Sequence, residues 1–574
     1  MGAPSLTQAE AERRAALLAV EKSDIAVDLS GLAAGPEVRC VSTVTFTCRE
    51  PGAETFADCA AQVVSATLNG KTLPPTSGSR ITLPGLAAHN TLRVESVQTD
   101  TTRNAGVHKA VDPADGAVYL WTTFEPDGAH EVWACFDQPD LKAPHAFTVT
   151  APAEWAVTSN SGDPQVELLG ITRRWAFPPT PPLSTYNTVI NAGPFYEIRR
   201  EAGAHDLGLF ARRSLATILD RDAEEIFTLT QQGLEFFARV FAMPFPQRKY
   251  DQVFMPEFGG AMENYGCVTW SDVYLRRSAP TPAERELFAK ILLHEMAHMW
   301  FGNLVTMRWW DDLWLNEAFA EFACNWAAER ATAYTDAWAG HLATGKLAAY
   351  LADQGPTSHP IRQPTHNVAE AESIFDAITY PKGASVLKQL MTYVGEVNFT
   401  DGMAAYFAQH AWGNTTLQDL IDALAIGAQP GRVAGRLAGN CGDRPAHPRA
   451  GRGRFRAGRP RSRRQAAASG AGDRRLPPPG RAGAHRASGG GGRWAHYAGR
   501  PAARRRRLSR QRRRPDVRYH PTRRRGQGHP ARGRRRTAHG RLPRRRRGHG
   551  VGHAGHWRGQ RRRGGAVLDR GARG

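Results

Sequence analysis

The chain has 574 residues, room for two to four domains, and a net charge of +21 that describes neither of its two parts. Residues 428–574 hold 44 arginines, no lysine, four aspartates and no glutamate, a charge of +40; residues 1–427 carry 31 basic against 50 acidic side chains, a charge of −19. No stretch nears the roughly 18 apolar residues of a membrane span, and the polar start MGAPSLTQAEAERRAALLAV has no signal-peptide core, so a cytoplasmic protein with no membrane partner is expected.

The first part of the chain, 1–200, is predicted to be an antiparallel β-domain. Short β-rich runs such as VRCVSTVTFTC (38–48), AVYLWTTF (117–124) and HAFTVTAP (145–152) alternate with turn residues, among them NGK at 69–71. The seven cysteines, at 40, 48, 59, 135, 267, 324 and 441, are odd in number and share no repeated spacing. Reduced thiols are expected; the competing arrangement is one pair among Cys40, Cys48 and Cys59.

From about 205 to 425 helical periods take over. AEEIFTLTQQGLEFFARVF (223–241) and ERELFAKILLHEMAHMWF (284–301) carry apolar residues at helical spacing. The second has a marked start, Thr281-Pro282-Ala283-Glu284, a capping box with proline at the first helical position, and is expected to stop at Gly302.

Inside that helix stands HEMAHMW (294–300). Residues four apart are separated by about 40° around a helix axis, so His294 and His298 project side by side, the spacing at which two imidazoles share a metal. Glu295, about 100° from His294, can reach a water on that metal without being a ligand. A buried helix with hydrogen-bonded histidines would look the same. Glu317 in LWLNEAFAEF (313–322), eighteen residues after His298 on a second helical stretch, tips the balance. Two histidines, one carboxylate and one open position make a catalytic zinc site. Glu321, one turn beyond Glu317, is either a partner for a ligand histidine or a solvated carboxylate.

HEMAHMWFGNLVTMRWWDDLWLNEAFAEF (294–322), with FGGAMENYG (258–266) before it, TYPKGASVL (379–387) after it and FEPDGAHEVWACFDQPDLKAPHAFTVTAP (124–152) upstream, resembles the aminopeptidase N family of zinc metallopeptidases over about residues 10–427. Ala318 departs from the glycine many members have there. The resemblance implies a multidomain α+β architecture, with the N-terminal β-domain followed by a thermolysin-like, mainly α catalytic domain over 201–427. It implies one Zn2+ per chain on His294, His298 and Glu317, with zinc-bound water as nucleophile, Glu295 as general base and Tyr380 as oxyanion donor. Gly260, Ala261, Met262 and Glu263 would bind substrate, with Glu263 and Glu125 anchoring its free ammonium. The expected substrates are peptides and arylamides with a free N-terminal residue, broadly of alanyl or leucyl type, and the expected state is a monomer.

After Gly427 both periods vanish into Arg/Gly/Pro-rich low-complexity sequence that cannot bury enough apolar surface to order itself. One reading is a disordered basic arm giving salt-sensitive, nonspecific nucleic-acid binding. The other is a non-native tail translated out of frame: GC-rich codons permitted for 428–450, shifted one base forward, spell an amphipathic helix-forming peptide. Two rival functions stay open beside the peptidase: a nucleic-acid-binding protein with an impaired peptidase domain, and an epoxide hydrolase of the same superfamily.

Overall fold

A computed structural model describes residues 5–425 except 34, 76–77 and 100–104; both readings of the arginine-rich tail fall outside the described residues. A β-rich domain comes first. Helix α1 (Gln8–Leu17) starts on a capping box in which the Thr7 hydroxyl accepts from the Glu10 amide and the Glu10 carboxylate accepts from the Thr7 amide. Eight strands then form one sheet in the spatial order Gln165–Leu169, Thr172–Ala176, His145–Pro152, Leu18–Asp28, Val38–Cys48, His89–Gln98, Gln62–Leu68 and Lys71–Thr72. Every neighbouring pair is antiparallel except Leu18–Asp28 with His145–Pro152, which is parallel and departs from the purely antiparallel expectation. A long crossover separates those two strands in sequence, and only such a crossover permits a parallel pair.

Alternation is strict in Val38–Cys48. Val38, Cys40, Ser42, Val44, Phe46 and Cys48 are buried and the residues between them are not, the signature of a sheet with one face on a core. Asn69 and Gly70, with φ of 52° and 77°, form the two-residue turn between Gln62–Leu68 and Lys71–Thr72. A smaller sheet follows in the order Ala156–Ser159, Ile190–Gly193, Val118–Thr123, Gly106–Val111, and the chain leaves Val118–Thr123 directly into Phe124 and Glu125.

The helical domain is built on a five-stranded sheet ordered Phe195–Ala202, His205–Arg212, Lys249–Met255, Cys267–Ser271, Ala261–Met262. Lys249–Met255 is buried at all seven positions and parallel to both neighbours, as a strand covered on two faces should be. Ala261–Met262 lies at the edge, antiparallel to Cys267–Ser271. Nine further α-helices lie among the described residues: α2 (Ala216–Val240), α3 (Pro282–Ala297), α4 (Trp314–Ala331), α5 (Ala337–His341), α6 (Leu347–Gln354), α7 (Val368–Ala371), α8 (Gly383–Val394), α9 (Glu396–His410) and α10 (Leu417–Ala425).

Helix α3 begins as expected, with Pro282 behind the Thr281–Glu284 capping box. Its second half is buried on every side. Leu292, Leu293 and Met296 are fully covered, each contributing about 1.5–3 kcal/mol of apolar burial. Gly233 on α2 allows a close crossing, because a Cβ there would stand 2.6 Å from the Met296 sulfur. The helix ends sooner than its apolar pattern, at Ala297 with His298 as the cap. The amides of Asn303, Leu304 and Val305 fold back onto the carbonyls of His298, Met299 and Trp300, and Gly302, at φ of 115°, makes the bend. The Phe301 ring stacks 4.2 Å from Phe319, seating α4 against this turn. Among the described residues no helix is long and apolar enough to cross a membrane, and the six cysteines are buried free thiols.

Candidate active site

Helices α3 and α4 bring His294, His298 and Glu317 together in the buried interior. Glu317 Oε2 lies 3.4 Å from Nε2 of His294 and 3.4 Å from Nε2 of His298. A tetrahedron with ligands about 2.0–2.1 Å from its centre has edges of about 3.3–3.4 Å, so these two separations match those of a zinc site. Nδ1 of His298 is 2.9 Å from the carbonyl of Phe301, which fixes the proton there and leaves Nε2 free to ligate. The donor set of two imidazoles and one carboxylate suits a catalytic zinc with an open position.

Charge says the same. Burial works against charging His298, yet the carboxylates of Glu263 and Glu317 lift its pKa to about 9. Burial also raises Glu317, but the charges of His298 and His294 and the bonds from both outweigh it and bring it down to about 2. The cavity is therefore built to hold positive charge at this point. Glu295 is pushed up to about 7 by burial, with Glu263 and Glu317 adding to the shift and the two histidines opposing it. A proton acceptor near neutrality stands beside the centre.

The predicted substrate residues lie around the same spot. Ala261 and Met262 form the edge strand, and Gly260 turns into it at φ of 92°, a conformation that favours glycine. Glu263 follows at 3% exposure, and its Oε1 accepts no hydrogen bond among the described residues. Glu125 arrives from the β-rich domain. Oxygens of Glu125, Glu263 and Glu317 lie within 4.8 Å of one another. Tyr380 sits in a π-helical turn, Ile378–Lys382, just before α8, with its ring nearly parallel to that of His294 at 5.9 Å. Burial, then the charges of Glu317, Glu125 and Glu263, raise its pKa well above that of a free phenol, so Tyr380 stays protonated and can donate.

Four further residues support the site. Asn303 donates to the Glu263 carbonyl at 2.8 Å and so ties the turn after His298 to the residue that follows the edge strand. Tyr186, from the β-rich domain, donates to the Gly302 carbonyl at 3.2 Å and accepts from the Asn316 amide at 3.0 Å, touching the turn after His298 and the residue before Glu317. Lys142, also from the β-rich domain, donates to the carbonyls of Asn303, Leu304 and Gly413. His341 reaches Glu321 from α5. Tyr186 and Lys142, each more than a hundred positions from the turn they hold, leave no periodicity to read. Only the unusual placement of Asn303 and Asn316 within apolar motifs marks their two positions.

Residues 226–433 match a family model described as the peptidase family M1 domain, and residues 88–187 match the peptidase M1 N-terminal domain. The chain is 46% identical over 437 residues to aminopeptidase N of Streptomyces lividans, covering 74% of this chain and 50% of that protein. Aminopeptidase M1-A of Oryza sativa subsp. japonica is 36% identical over 314 residues, 54% of this chain and 35% of its own length. Leucyl aminopeptidase of Saccharolobus solfataricus is 32% identical over 370 residues, 63% and 46% respectively. The chain thus spans between about a third and a half of the length of these relatives.

Proposed function

We propose that this chain, which belongs to peptidase family M1, is a zinc-dependent aminopeptidase that removes the N-terminal residue from peptides and arylamides. One observation carries the reading: a cluster of three carboxylates, Glu125, Glu263 and Glu317, adjoins the two-imidazole site, and one buried oxygen of Glu263 lacks a donor. An ammonium group supplies such donors, and a charge-assisted hydrogen bond is about twice as strong as a neutral one. An internal peptide bond brings no ammonium, so the cluster favours chain ends.

His294, His298 and Glu317 would hold the zinc, which when bound acidifies a water and polarises the scissile carbonyl. Glu295 takes the proton from the attacking water and returns it to the leaving amine. Tyr380 donates to the carbonyl oxygen as negative charge develops on it. The edge strand Ala261–Met262, with Gly260 before it, offers its outer side to an extended substrate. A preference for alanyl and leucyl residues, a monomeric state and a cytoplasmic location belong to the same proposal; the buried free thiols suit a reducing compartment.

The test compares alanyl-anilide and leucyl-anilide with their N-acetylated forms, using the full chain with stoichiometric zinc. Free-amine substrates should turn over and acetylated ones should not. Glu263→Gln should raise KM for the free amines by about tenfold or more, since each 1.4 kcal/mol of lost binding is a factor of ten. Equal hydrolysis of acetylated and free substrates would remove the anchoring role of the carboxylate cluster.

A further inference from the structure

Helix α4 offers two carboxylates to a single imidazole. Glu317 and Glu321 stand one turn apart on the same face. Oε2 of Glu317 lies 3.4 Å from Nε2 of His294, and Oε2 of Glu321 lies 3.6 Å from Nδ1 of the same ring. The second oxygen of Glu321 is 3.4 Å from Nδ1 of His341 at the end of α5. The far nitrogen of His341 is 3.3 Å from the Ser385 hydroxyl, which can donate to that nitrogen or to the Pro381 carbonyl 2.7 Å away. Pro381 is the residue after Tyr380. Both histidines are buried, and neither Nδ1 makes a full hydrogen bond among the described residues.

We propose that Glu321 is the positioning residue for the metal ligand His294, that His341 braces Glu321 from behind, and that the chain His294–Glu321–His341–Ser385 ties the metal helix to the turn carrying Tyr380. The inference rests on His294 being a zinc ligand. A ring that gives Nε2 to a cation keeps its proton on Nδ1 and needs an acceptor there, and a carboxylate also raises the basicity of the ligating nitrogen. Only a carboxylate can serve both rings, because it accepts on two oxygens, whereas an amide accepts on one and donates on the other. Glu321→Gln therefore satisfies one imidazole and strands the other. Contraction of the 3.6 Å gap is what metal binding adds, and the brace through Ser385 passes that contraction to the backbone beside Tyr380.

The experiment measures zinc affinity of the full chain by chelator competition for wild type, Glu321→Gln, His341→Gln and the double variant. Hydrogen exchange over residues 378–385 is followed with and without zinc. Glu321→Gln should weaken zinc about 10–100-fold, the range seen when an outer partner of a ligand is lost. His341→Gln should weaken it less, and the double variant should be no worse than Glu321→Gln, because His341 acts only through Glu321. Zinc should slow exchange at 378–385 in wild type and fail to do so in both single variants. Wild-type affinity in both single variants, or losses that simply add in the double, would overturn the proposal. Should Glu321→Gln not fold, His341→Gln alone decides, through its affinity and its exchange. A wild-type chain that binds no zinc would instead overturn the assignment of the metal site on which this rests.

Discussion

At the residue scale, the division of labour proposed for Glu295 and Tyr380 predicts two different kinetic losses. Glu295→Gln removes the proton acceptor but no ligand, so zinc should stay bound while kcat falls about 10²–10⁴-fold. Tyr380→Phe keeps the ring against His294 and removes only the donor. Its kcat should fall about 10²–10³-fold with KM nearly unchanged, read from steady-state kinetics on leucyl-anilide. These residues differ in how far they could be read in advance. His294, His298 and Glu317 follow from helical spacing and zinc chemistry alone. Glu125, Glu263 and Tyr380 became candidates only through the resemblance to a family, because a lone glutamate or tyrosine is ordinarily a surface carboxylate or a half-buried phenol. Tyr186, Lys142 and His341 were not legible, since each meets the site through a tertiary contact that no local pattern encodes.

At the element scale, the helix starts were easier to foresee than the ends. The Thr281 capping box is a local hydrogen-bond pattern, whereas α3 stops at Ala297 where a downstream loop folds back onto the carbonyls of His298, Met299 and Trp300. Packing between α4 and α8 supplies a sharper prediction. A Cβ on Gly383, the first residue of α8, would stand 2.5 Å from the Cβ of Ala318, next to Glu317. Gly383→Ala should push the two helices apart, destabilise the chain by about 1–3 kcal/mol and lower kcat, because α8 follows directly on the Tyr380 turn. Ala318→Gly combined with it should restore both the melting temperature and the turnover.

At the scale of the whole molecule, a buried polar network joins three stretches of the β-rich domain. Arg14 pairs with Asp58 at 2.7 Å, Asp58 accepts from the Asp137 amide at 3.1 Å, and His130 Nδ1 stands 2.9 Å from Asp137 Oδ2. Burial opposes the imidazolium of His130, but the Asp137 bond and the charges of Asp137, Asp127 and Asp58 lift its pKa to about 10. The unfolded value is about 6.5, so the folded chain holds a proton that the unfolded chain releases. This contribution is full below about pH 6.5 and disappears as pH rises through about 10. Melting temperatures from pH 6 to 10 should therefore fall more steeply for wild type than for His130→Gln. Removing the ring should itself cost about 3–5 kcal/mol at pH 6. The seam between the two halves carries a different lesson. Residue 142 grips the carbonyls of 303, 304 and 413, while Thr306–Met307 pairs in parallel with Asn414–Thr415 and Asn414 reaches back to the Pro139 carbonyl. Three remote portions of the polypeptide thus interlock around the bend that follows the second imidazole. The shortest fragment able to set that bend must begin ahead of residue 139 and run beyond residue 415, so the helices carrying His294, His298 and Glu317 cannot be excised as a working miniature.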